Sequence, residues 1–150
     1  MALEMHLPGV AGAIQLAIAP AFLLTAVGAF LNVMTNRLAR AVDRARRLEL
    51  LLPEVNGERE IRVRAELRVL SRRARWSNRA ISASVGCALF ICMEVAAVFI
   101  GAFYEADVSM IAGALFSAGI VSLVIGLIAF LREIFIATRN LTIGDNKPGF

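Results

Sequence analysis

Glu94 is the only Asp, Glu, Lys, Arg or His between Ala80 and Tyr104, a run otherwise apolar enough to lie in hydrocarbon. A charged carboxylate at that depth costs several kcal/mol, so such a residue faces protein or water and marks either an ion or proton site or a buried hydrogen bond. Helical spacing puts the small residues Ala83, Cys87 and Gly101 on its face, which is the composition of a packed seam. Two roles stay open: a protonated carboxyl bonded to a backbone carbonyl or to Ser117, and a group that carries a cation or proton. A second chemistry is written in NRLARAVDRARR, residues 36–47, and in RRAR, residues 72–75. Arg37, Arg40, Arg44, Arg47, Arg72, Arg73 and Arg75 offer forked guanidinium groups, which suit phosphate and carboxylate better than ammonium does. Asp43 stands three residues after Arg40 and four before Arg47, close enough to pair along its own helix. A third group is polar but uncharged. Thr25, Asn32 and Asn36 fall on one helical stripe that continues to Asp43, with Gly28 at its edge, and Gln15 lies about a turn above Pro20. These residues suit interhelical hydrogen bonds or the lining of a wet pathway.

Other chemistries lack their parts. His6 is the only histidine, no glycine-rich phosphate loop follows a strand, and Cys87 and Cys92 are five apart on one helix. We therefore expect no enzyme activity, no cofactor, no metal site and no disulfide framework. Trp76 is the only aromatic near the arginines, which argues against nucleic acid as a partner.

The elements that must hold these residues follow from charge segregation. The chain has 150 residues, 59% hydrophobic and 19% charged, with a mean hydropathy of +0.72. An ordinary soluble globule is about half apolar and roughly one quarter charged. Residues 9–36 and 108–131 carry no charged side chain and residues 80–104 carry only Glu94, and each is long enough to cross the hydrocarbon core as a helix. The reading is an all-α membrane protein with three transmembrane helices in a single membrane domain, 1–150. Between the first and second spans, residues 37–79 form an antiparallel helical hairpin. Leu38, Ala41, Val42, Ala45, Leu48 and Leu52 keep one apolar stripe, Pro53 stops it, Asn56 and Gly57 turn the chain, and Val63, Leu67, Leu70 and Ala74 resume it. Glu105, Ala106 and Asp107 join spans two and three tightly. On span three Ala112, Gly119 and Gly126 repeat every seven residues toward Glu133. Gly101, Gly119 and Gly126 are thus the expected helix-packing positions, with Gly119 expected opposite Glu94. After Arg132 the helix is expected to run to about Leu141, leaving residues 142–150 as a flexible tail.

Orientation follows from the basic residues. All 16 Lys and Arg fall on one side of the three spans, 13 of them in residues 37–79, where six acidic residues leave a net of +7. The positive-inside rule puts that side in the cytoplasm, with the N-terminus and the 105–107 turn outside. The first span has no basic residue before it, so it is expected to remain as an uncleaved span.

The run APAFLLTAVGAFLNVMTNRLARAVDRARRLE, residues 19–49, resembles a bacterial integral membrane protein family known as domain of unknown function 2721. The shared features are a proline, an apolar stretch, an Asn, then NRLAR and DRAR. The likeness extends more loosely through RRAR and both later spans. It implies the topology and the bacterial inner (plasma) membrane, and it implies no activity. The expected function is that of a structural or interaction protein whose basic hairpin contacts anionic lipid headgroups or a partner, with the spans as anchor and homo-oligomer interface. The alternative is a small homo-oligomeric cation or proton channel using Glu94.

Overall fold

The computed structural model describes residues 7–104 and 106–139. His6, Glu105, Leu141 and the expected tail at 142–150 lie outside the described residues. The described chain is helical: α1 spans Leu7–Leu51, a single 3₁₀ turn follows at Leu52–Glu54, α2 spans Glu58–Tyr104 and α3 spans Ser109–Arg139. All three α-helices are long and apolar enough to cross a membrane. Many of their large apolar side chains are exposed, Phe22 at 74% and Ile100 at 57% among them. In water such a surface would be untenable; in lipid it is the normal outer face of a helix.

Local chemistry explains the ends. Pro53 lacks the N–H that would continue the ladder, so α1 closes at Leu51 and tightens into the 3₁₀ turn. Gly57 adopts φ +67°, a left-handed conformation that costs a residue with a Cβ, and its carbonyl accepts the Ile61 N–H at 3.2 Å as α2 begins. From there α2 runs through Ser77–Arg79 without a break, so its basic and apolar portions are one helix. Pro20 sits inside α1 and does not end it. Ahead of α3, Asp107 Oδ1 accepts the Ser109 backbone N–H at 3.0 Å and the Ser109 hydroxyl at 2.6 Å. This is a capping arrangement that satisfies donors at the helix start.

The described chain packs as two compact units, one of residues 7–31, 83–104 and 106–125, the other of 32–82 and 126–139. In the first, Val27, Cys87 and Ile91 are buried, with Leu23, Leu24, Leu31, Ala88 and Leu123 against them. Lipid tails are as apolar as these side chains, so close approach and interhelical hydrogen bonds must hold the contact. Both are present. The Ser122 hydroxyl donates to the Ala83 carbonyl at 2.7 Å, and a Cβ on Gly119 would meet Ile91 Cδ1 at 3.0 Å. In the second unit Ala41, Leu48 and Leu70 are buried with Ala45, Val63 and Leu67 around them, which uses both apolar stripes of residues 37–76.

Candidate functional site

The arginine-rich segments converge in the second unit on a residue that the sequence presents only as the end of a small-residue line. Glu133 is 1% exposed. Its Oε1 accepts Arg73 Nε at 3.0 Å and Arg73 Nη2 at 2.8 Å. Its Oε2 faces Arg37 Nη2 at 3.2 Å, an ion-pair contact without hydrogen-bond alignment. One carboxylate thus holds two guanidinium groups, from α1 and from α2. The Arg37 group also lies 5.4 Å from the Phe130 ring centroid, within range of a cation–π contact.

Beside this triad Arg37, Arg40, Arg44 and Arg73 line a cleft of about 290 Å³ floored by Ala41 and Leu70. Arg44 Nε donates to Glu66 Oε1 at 2.9 Å. Among the described residues no ion pair includes Arg40. Four arginines against Glu66 and Glu133 leave the cleft a net of +2. Arg72 and Arg75 do not join them: with Arg46 and Arg68 they line a separate cleft, and Arg47 lines neither. Asp43 is exposed and makes no ion pair among the described residues, so the pairing expected along its own helix is replaced by contacts across helices. Trp76 lies between two cations, with the Arg79 guanidinium 5.0 Å and the Arg132 guanidinium 5.1 Å from its ring centroid. An indole stacked on arginines is amphipathic, and such residues favour the membrane–water boundary.

Glu94 belongs to the first unit. Its Oε2 is buried and accepts no hydrogen bond. Ser117 is turned to its own helix, donating to the Gly113 carbonyl at 2.8 Å. The side chains nearest to Gly119 are Ile91 and Phe90 rather than the expected Glu94. The expected pairing treated Tyr104 and Val108 as level, whereas the close contact at the turn is Gly101 against Val108, which shifts the register of α2 on α3 by about one turn. Glu94 and Pro20 instead line one cavity of about 790 Å³.

The remaining polar positions face outward. Thr25 donates to the Ala21 carbonyl at 3.1 Å, and Asn36 Nδ2 donates to Asn32 Oδ1 at 3.2 Å. Gln15, Thr25, Asn32 and Asn36 are all exposed, while Gly101, Gly119 and Gly126 are buried. Among the described residues no three His, Cys, Asp or Glu come together as a metal site.

A family model described as "Protein of unknown function (DUF2721)" matches residues 17–143. No curated protein and no solved structure matches the chain.

Proposed function

The chain belongs to this family of proteins of unknown function, and since membership supplies no activity, we propose from the geometry that it is an integral inner-membrane interaction protein binding anionic lipid headgroups. The Arg37, Arg40, Arg44 and Arg73 cleft carries this reading. Its net positive charge has a shape, with two guanidinium groups held by Glu133, one by Glu66, and Arg40 left to meet a ligand. Depth agrees with it. Arg37 is the first charge after residues 9–36, and Arg132 and Glu133 are the first after 108–131. The cleft is thus within a turn or two of the apolar edge, where a phosphate headgroup lies. The 37–79 hairpin, with its net of +7, adds distributed attraction of about 1 kcal/mol per basic residue near an anionic leaflet.

Segregation of every Lys and Arg to one side supports a cytoplasmic hairpin and C-terminus with an external N-terminus. The exposed Asn32–Asn36 pair favours several copies meeting through α1, because amide groups facing hydrocarbon gain by finding a partner. The experiment titrates short-chain phosphatidylglycerol or phosphatidylcholine into the purified full chain at low and high salt while following its melting temperature. Stabilisation by the anionic lipid alone, weakening with salt, is expected. Equal stabilisation by both lipids would overturn the assignment, and the lack of either effect would turn attention to an acidic protein partner.

A further inference from the structure

The Glu94 cavity is a different kind of site, an open groove with mostly apolar walls, where the arginine cleft is lined by cations. Leu16, Pro20, Gly101, Gly113 and Phe116 line it together with Glu94. Its volume, about 790 Å³, falls in the range that accepts a drug-sized molecule. Three observations fix the chemistry of an occupant. Glu94 Oε2 is buried with no protein donor, and a buried acceptor left unmatched is costly, more so when charged. Residues 7–31 and 83–125 contain no Lys, Arg or His, so the described residues of this unit offer no counter-ion. Pro20 has no N–H to give the Leu16 carbonyl, and Leu16 lies on the same wall.

Apart from Ser109, whose hydroxyl is already donated to Asp107, the polar side chains that meet the cavity are the carboxyls of Glu94 and Asp107. At its rim Asp107 is held by Ser109 through the bonds that cap α3, which keep its carboxyl below the usual range and so ionised. An inorganic cation is a poor fit, since hard ions need several oxygens at close range, and here Glu94 stands among Ala, Gly, Val and Leu walls while Asp107 is already engaged by Ser109. A cation that brings its own hydrocarbon fits both features, and Phe116 supplies an aromatic face for it.

We propose that this cavity binds a monovalent lipophilic organic cation, an ammonium or phosphonium with a hydrocarbon body, whose charge pairs with the Glu94 carboxylate. The hydrocarbon body fills the cavity along α1 and α3, and affinity comes from apolar contact while selectivity comes from one charge.

Tetraphenylphosphonium binding to the full chain in lipid nanodiscs, read by equilibrium dialysis, tests this. Saturable binding of one cation per cavity is expected. Glu94→Gln should weaken it about ten-fold or more, as expected on loss of a charge-assisted contact. A neutral probe of similar shape with no hydrogen-bonding group, triphenylmethane, should bind the native chain and Glu94→Gln alike. Gly113→Leu gives an independent arm with Glu94 intact. A Cβ at Gly113 meets nothing within 4 Å, so the larger side chain enters open space and should reduce binding by occlusion. If Glu94→Gln fails to fold, Gly113→Leu and the cation-to-neutral comparison on the native chain still decide. Unchanged affinity in Glu94→Gln, equal binding of the two probes by the native chain, or full displacement by millimolar sodium would overturn the proposal.

Discussion

Removing the Glu133 side chain should destabilise the protein more than any other single truncation in the second unit. The carboxylate is 1% exposed and touches two guanidinium groups, Arg73 at 2.8 Å and Arg37 at 3.2 Å. Breaking a buried ion pair by deleting one partner costs about 3 to 5 kcal/mol, because the other charge stays behind without compensation. Here two like charges are left facing each other. Their side chains keep 24% and 35% exposure, so solvent and headgroups relieve part of the cost, and Glu133→Ala should lose about 3 kcal/mol. Replacing the triad together, with Glu133, Arg37 and Arg73 all changed to Met, should recover most of that loss, since an apolar triad carries no desolvation penalty. Equilibrium unfolding in mixed micelles, followed by Trp76 fluorescence, measures both. A loss under about 1 kcal/mol in Glu133→Ala, or no recovery in the triple variant, would refute the view that this carboxylate organises the arginines. Glu133→Ala that remains folded should also bind anionic lipid more tightly, because the cleft gains one net positive charge.

At the turn between α2 and α3, Gly101→Ala should destabilise clearly, since its Cβ would come within 2.5 Å of Val108 Cγ2 and 3.1 Å of the Ala106 carbonyl oxygen; Gly113→Ala, whose Cβ meets open space, should be near neutral in the same melting assay. Gly119→Leu should lower stability by about 1 to 3 kcal/mol by overpacking against Ile91. For Asp107, the Ser109 hydroxyl first and then the Ser109 backbone N–H hold the carboxyl below its ordinary value. A depressed carboxyl stabilises fully above its unfolded value, about 3.9, and the stabilisation disappears as pH falls through the lower folded value. Melting temperature between pH 5 and pH 2 should therefore fall more in the native chain than in Asp107→Asn, and parallel curves would remove the cap from the account.

Three apolar helices were legible because charge in this sequence is confined to the segments between and after them, and Pro53 and Gly57 mark the reversal by chemistry that acts locally. The arginine cleft was half legible. Guanidinium spacing on α1 suggested an anion platform, but which arginines of α2 would join it depends on helix rotation, and the structure brings in Arg73 while turning Arg72 and Arg75 to another cleft. Glu133 escaped because its partners are 60 and 96 positions distant, though the line Ala112, Gly119, Gly126 ending on a carboxylate was a usable signal: the fourth position on a buried face demands a cation opposite. Glu94 was found by the cost of its charge in an apolar run. Its neighbours were not, because counting depth from a turn gives height and leaves the register free by a helical turn.

Native mass spectrometry of the full chain released from bilayers of equal phosphatidylglycerol and phosphatidylcholine tests the headgroup assignment most directly, with Arg40→Gln as the comparison because Arg40 joins no ion pair among the described residues. The native chain should retain phosphatidylglycerol and release phosphatidylcholine, and Arg40→Gln should lose most of that retained lipid while melting at the native temperature. Equal retention of both lipids, or full retention of phosphatidylglycerol by Arg40→Gln, would contradict the reading of this cleft as an anionic-lipid site.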